Sequence, residues 1–187
     1  MQRRNRFAEL AKLGELVFHA DDLANLWQIH NKNTLYTTLK RYAQRGVLFR
    51  IQKGLYSIKP PSAIDPYLLG IKALHGLAYV STETVLANHG MIQQSLPSIT
   101  LMSRQRKRFS LAGTTYFSRA LPDQYLYQPI GITTMANGVR MATLERAIAD
   151  LLYVNPLAYF DAQRTIDWKK VRAMQQAIGY PINPKPL

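Results

Sequence analysis

No cysteine occurs among the 187 residues, which excludes a disulfide framework, a cysteine-liganded zinc site and a thiol nucleophile. Acidic residues are scarce as well, 11 Asp+Glu against 24 Lys+Arg, for a formal charge of +13. Such an imbalance creates a positive field that draws in polyanions, so nucleic acid or an anionic surface has to be considered as a partner. Long apolar runs are missing too. Nothing approaches the roughly 20 residues that span a bilayer, and Glu9, Lys12 and Glu15 interrupt the segment after the basic start, where a secretory signal needs an apolar core. The expectation is a cytoplasmic protein with no membrane partner. Gly90, Gly113, Gly131 and Gly138 stand alone, without phosphate-loop spacing, and His19, His30 and His75 form no H-E-x-x-H pattern. No cofactor and no metal are expected.

What is present is enough apolar material, 47% of the chain, for a packed core. The pattern predicts an α+β protein in two domains, residues 1–62 and 63–187. In the first, a helix is expected over 3–13 with Phe7, Leu10, Ala11 and Leu13 as its apolar stripe. A second is expected over 20–28, with Asp21 and Asp22 at the positive end of its dipole. A third starts near Asn31–Asn33, where either Asn can cap. It repeats Leu35, Leu39, Tyr42 and Ala43 at spacings of three and four and stops at Gly46. Residues 47–50 and 55–58, joined by Gln52, Lys53 and Gly54, read as a hairpin.

Three helices followed by a hairpin within sixty residues is the plan of a winged helix-turn-helix, in which a thin helix enters the major groove of double-stranded DNA and the wing braces it. With the apolar set turned inward, Tyr36, Thr37, Lys40, Arg41 and Gln44 face outward, and Asn33 and Thr34 join them at the helix start. They offer hydrogen-bonding groups for base edges and cations for phosphates. Arg50 and Lys53 flank the wing turn, while Tyr56 braces the hairpin on the helices. The bland reading of each is a solvated basic surface. Charge is denser here, eleven basic and four acidic residues in 1–62 against thirteen and seven in the rest.

Pro60, Pro61 and Ser62 mark the boundary, and Asp65-Pro66 opens a new helix. The second domain reads as mixed α and β. Helices are expected near 66–75, 82–89, 143–153 and 168–178. Strands are expected at 98–102, 108–111, 114–118, 130–135 and 138–142, with an irregular tail at the end. Arg104, Arg106, Lys107 and Arg108 fall between two of these strands, with no acid from Glu83 to Asp123. They are expected on an exposed turn as a second DNA-contacting element.

Candidate catalytic groups do not assemble. His89 beside Gly90 fits a helix end. Glu145 and Asp150 lie about 140° apart on one helix of 3.6 residues per turn, so Glu145 is read as stabilising the first turn and Asp150 as an internal contact or a solvated group. Asp65, Glu83, Asp123, Asp161 and Asp167 are scattered, and no catalytic residue is assigned. Tyr116, Phe117, Tyr125 and Tyr127 could stack on bases, although strand alternation puts several in the core.

The run from Phe18 to Ile58 resembles the N-terminal domain of the AbiEi-like antitoxins, transcriptional regulators of type IV abortive-infection toxin–antitoxin systems. The helix ending in Arg45-Gly46, the short strand after it and Lys53-Gly54-Leu55-Tyr56 carry the likeness. Residues 79–90, from Tyr79 through Ser81, Glu83 and His89 to Gly90, and residues 141–153, from Met141 through Glu145 to Asp150-Leu151-Leu152, resemble two later segments of that family. The resemblance implies a two-domain regulator that represses its own operon through its N-terminal domain. It further implies a C-terminal domain acting against a nucleotidyltransferase-like toxin.

The reading is therefore a non-enzymatic, sequence-specific repressor that binds double-stranded DNA. A single module covers little DNA, so a homodimer on DNA is expected. Two alternatives fit the same composition: a nucleic-acid-processing enzyme such as a nuclease, or an antitoxin acting mainly through protein binding.

Overall fold

The computed structural model describes residues 6–92 and 97–182. The first three residues of the helix expected from residue 3, and the last five of the expected tail, lie outside them. The chain is mixed α+β and divides into two compact units, Met1–Asp65 and Pro66–Leu187. The boundary falls three residues after the expected one, because Pro61–Ala63 forms a 3-10 turn before Pro66 opens the next helix.

The smaller unit contains α1 (Arg6–Lys12), β1 (Val17–His19), α2 (Ala20–Trp27), α3 (Lys32–Gln44), β2 (Phe49–Gln52) and β3 (Leu55–Ser57). Strand β1 was not expected from sequence. Its three residues are too few to show alternation, and it forms only by pairing antiparallel with β3, giving the order β1-β3-β2. Leu10, Phe18, Leu23, Trp27, Leu35, Leu39, Leu48 and Tyr56 make the core. The stripe expected on α1 is corrected: Leu10 is buried, but Phe7, Ala11 and Leu13 are exposed.

The start of α3 is set by Asn31, whose side chain accepts from the Thr34 amide at 3.1 Å, so Asn33 is free to face outward in the first turn. Leu35 and Leu39 are fully buried, and Tyr42 meets Trp27 edge-on at 5.6 Å. Between β2 and β3 a two-residue turn places Gly54 at φ 80°, which an L side chain resists.

In the larger unit, a six-stranded sheet has the order β6-β7-β5-β4-β9-β8. Its strands are β4 (Ala78–Val80), β5 (Ile99–Ser103), β6 (Lys107–Leu111), β7 (Thr114–Ala120), β8 (Ile132–Thr134) and β9 (Arg140–Ala142). The pairs β5–β7 and β4–β9 are parallel and the others antiparallel. The helices are α4 (Pro66–Ala73), α5 (Glu83–Asn88), α6 (Asp123–Leu126), α7 (Leu144–Val154) and α8 (Trp168–Ile178). Neither β4 nor α6 was expected, since at three and four residues each is shorter than one hydrophobic repeat. α4 lies so close to the sheet that a Cβ on Gly70 would collide with the buried Tyr116 ring.

At the centre of this unit Arg146 and Asp150, one turn apart on α7, are both fully buried and paired at 2.9 Å. The guanidinium also donates to the Tyr79 hydroxyl and to the carbonyls of Tyr125, Gln128 and Ile130. The carboxylate accepts from Tyr79, Ser81 and Tyr180. Of the two readings open for Asp150, the internal contact is the one observed. Burial works against the Arg146 charge, but Asp150, Tyr79 and Tyr180 outweigh it and hold its pKa above the ordinary value. Burial and the adjacent Asp150 carboxylate push the Tyr79 and Tyr180 phenols well up, so both stay protonated donors.

Replacing Arg146 by Ala strands a carboxylate in the core, and breaking a buried pair in this way costs about 3–5 kcal/mol. Urea denaturation should show a loss of that size, with Tyr180→Phe costing about 1–3 kcal/mol for one lost bond to a buried charge. A midpoint unchanged by Arg146→Ala would mean that Asp150 is not held without water.

Candidate nucleic-acid interface

On α3 the buried side is Leu35 and Leu39, and the opposite side carries every residue singled out from sequence. Asn33, Thr34, Tyr36, Thr37, Lys40, Arg41 and Gln44 are all exposed. The helix and the β2–β3 hairpin border a groove of about 680 Å³ lined by Tyr36, Lys40, Ala43, Gln44, Arg50, Lys53 and Tyr56. Five predicted residues therefore come together: Tyr36, Lys40 and Gln44 from the helix, Arg50 and Lys53 from the hairpin. Thr37 and Arg41 lie one step further round α3, with Asn33 and Thr34 at its start.

Two expectations change here. Ala43 lines the groove instead of closing the core. Tyr56, read as a brace, does both jobs, being 4% exposed and still part of the groove wall. Its strand neighbour places it there: Arg50 pairs directly with Tyr56 across the ladder, so the two side chains share one face of the hairpin.

Arg104, Arg106, Lys107 and Arg108 are exposed, but they do not act as one turn. Only Arg104 and Arg106 precede β6; Lys107 and Arg108 belong to it, at the edge of the sheet. Arg104 is already neutralised. Its guanidinium grips Asp123 with bonds of 2.9 and 2.7 Å and reaches the Tyr127 hydroxyl. The acid was visible in sequence, but its proximity depends on α6 folding back beside β5.

The remaining cations rest on aromatic rings. Arg106, Arg108 and Arg119 lie 5.6, 5.7 and 5.1 Å from the Phe117 centroid, and Lys107 lies 5.6 Å from that of Phe109. Arg119, not singled out from sequence, is paired with Glu83, while Arg106 and Arg108 have no carboxylate partner among the described residues. Of the aromatics considered for stacking, Tyr116 is buried against Phe109 at 5.0 Å, and Tyr125 packs on Tyr153 and Tyr180.

His89 sits at the end of α5 with its ring Nδ1 2.9 Å from the Val85 carbonyl, in accord with the helix-end reading. Among the described residues no group of three or more His, Asp or Glu side chains could hold a metal ion, and no helix is long and apolar enough to cross a membrane.

No protein-family model and no curated protein matches the chain. Among solved structures, the RV2827C protein from Mycobacterium tuberculosis is similar, with a TM-score of 0.51 and 14% identity. The match covers 94% of this chain and 70% of that one. At that identity the likeness concerns the fold alone.

Burial raises the Tyr56 phenol pKa; the Arg50 guanidinium opposes the shift and Tyr36 adds to it. Arg50→Ala should therefore raise it further, as read from the pH titration of the Tyr56 ¹³Cζ resonance. A raised folded pKa contributes stability that is present below the unfolded value near 10 and lost as pH climbs through the folded one. A downward shift in the variant would place the Arg50 charge away from the phenol.

Proposed function

We propose that the smaller unit is a winged helix-turn-helix that reads double-stranded DNA, and that the protein is a non-enzymatic transcriptional repressor. The observation that carries this is the groove between α3 and the hairpin. One exposed helix face bearing Asn33, Tyr36, Thr37 and Gln44 stands beside a hairpin bearing Arg50 and Lys53. Amide, hydroxyl and guanidinium groups on a helix suit base edges, whereas cations on a neighbouring hairpin suit the phosphates that fix its register. The resemblance to AbiEi-like antitoxins supports autoregulation of an antitoxin operon. A nucleotidyltransferase-like toxin would then be a second partner.

Footprinting on the DNA just upstream of the protein's own gene tests this reading. Protection of a discrete segment is expected, with the DNA left uncut; metal-dependent cleavage would instead favour a nuclease. Tyr36→Ala or Thr37→Ala should reduce discrimination between that segment and random duplex by about 1–3 kcal/mol. Arg50→Ala with Lys53→Ala should weaken both duplexes alike. Equal losses on both duplexes for Tyr36→Ala and for Thr37→Ala would remove the reading face from α3.

In the larger unit we propose that Arg106, Lys107 and Arg108 add phosphate contacts, with Arg104 excluded by its bond to Asp123. Changing the three to Ser should lower the slope of log affinity against log salt by up to about 2.7, at roughly 0.9 per phosphate released. An unaltered slope in a folded variant would leave the smaller unit as the whole interface.

A further inference from the structure

At the β6 edge of the sheet, the pleat divides a run of cations that is continuous in sequence. Arg108 stands opposite Phe117 and Lys107 opposite Ser118, and successive side chains of a strand point to opposite faces. Lys107 shares its face with Phe109, over whose ring its ammonium lies. Arg106 and Arg108 fall on the other face, with Phe117 and Arg119. One step beyond the Lys107–Ser118 pair, Arg106 comes opposite Arg119. All three guanidiniums rest on the half-buried Phe117 ring, at 5.6, 5.7 and 5.1 Å from its centroid.

Such a gathering works against stability. Like charges directly opposite each other on an antiparallel pair are destabilising, and a ring face attracts cations without neutralising them. Among the described residues the carboxylate that answers them is Glu83, which bonds Arg119. No Asp or Glu occurs between Glu83 and Asp123, and Asp123 is taken by Arg104. Glu83 Oε2 and Arg119 Nε are enclosed without a hydrogen-bond partner, so the pair is not the two-bond fork that Arg and a carboxylate can form. Arg119 is tethered and not saturated. Three guanidiniums against one carboxylate leave two positive charges in one place. Charge on an edge strand discourages pairing with another chain, but Arg119 belongs to β7, an inner strand, and has no part in that.

We propose that Arg106, Arg108 and Arg119 form a phosphate-binding site on this face of the sheet, with Phe117 as the positioning residue, and that its occupant is a nucleic-acid backbone. The proposal rests on the reading that the larger unit adds phosphate contacts, and it brings in Arg119 and Phe117, which that reading leaves out. Lys107 lies on the opposite face, so any phosphate it meets is a different one. A guanidinium is a planar fork of donors that matches phosphate oxygens and stays charged. Resting on a ring, it is partly ordered before the ligand arrives, which lowers the cost of binding. Charge density selects the occupant. Duplex DNA carries one negative charge per roughly 1.7 Å of its axis, whereas an extended acidic peptide places same-face carboxylates two residues apart, at about 6.6 Å. Three cations on one ring match the denser polyanion.

The full chain, labelled with ¹⁵N, is titrated first with inorganic phosphate and then with a random duplex, following the Arg119 Nε–H resonance. Both probes are expected to move it. Arg108→Ser and Lys107→Ser remove the same charge from neighbouring positions on opposite faces. The first should weaken phosphate binding several-fold and the second should leave it unchanged. Phe117→Leu, which removes no charge, should also weaken it several-fold, and Phe117→Tyr, which keeps the ring, should not. Circular dichroism checks that each variant is folded.

The site is overturned if inorganic phosphate leaves the resonance in place, if Lys107→Ser costs as much as Arg108→Ser, or if folded Phe117→Leu binds phosphate like the wild type. The occupant is overturned if polyglutamate moves the resonance as readily as duplex, which would point to an acidic protein. It is equally overturned if a duplex that the chain binds leaves the resonance unmoved, which would make free phosphate the ligand. A chain that binds no duplex fails the nucleic-acid reading itself, while the phosphate titrations still decide the site.

Discussion

The larger unit is organised by one constraint: the charges of Arg146 and Asp150 lie where water cannot reach them. An uncompensated ion there is unaffordable, so every donor and acceptor of the pair has to find a partner within the fold. Those partners come from four places in the chain: strand β4, the segment from Tyr125 to Ile130, α7 itself and Tyr180 beyond α8. Satisfying two side chains therefore positions several elements at once. It also sets the approach to β8, since Gly131 lies so close that a Cβ there would meet the Arg146 Cβ at 2.8 Å.

The smaller unit follows the opposite rule. Its core is made of apolar residues and Tyr56, and the polar groups of α3 are turned outward. Tyr36, Lys40 and Gln44 are aimed by the phase of the helix, which the Asn31 cap and the burial of Leu35 and Leu39 determine together. Such a surface keeps its side chains free to adapt to a ligand, at the cost of ordering them on binding.

Charge in the larger unit is organised by aromatic rings more than by ion pairs. Phe117 gathers three guanidinium groups, of which one is offset by Glu83, and Phe109 holds Lys107. A ring face attracts cations without neutralising them. The positive charge of β6 is thus held near the sheet while still available to an anion, and the same charge protects that edge.

Where the chain repeats over a full turn or more, its structure was legible without coordinates. α3, α7 and α8 begin and end within two residues of their apolar patterns, and the cap at Asn31 and the turn at Gly54 follow from local chemistry alone. The exposed face of α3 was legible for the same reason, because helical phase is a local property. What the sequence could not disclose were contacts between distant residues: β1 and β4 exist only through their strand partners, Arg104 is cancelled by Asp123 nineteen positions away, and Tyr56 enters the groove through its pairing with Arg50. The burial of Arg146 is the extreme case. An arginine on an amphipathic helix reads as solvent-facing, because the hydrogen bonds that make its burial tolerable come from remote segments that only the tertiary fold brings to it.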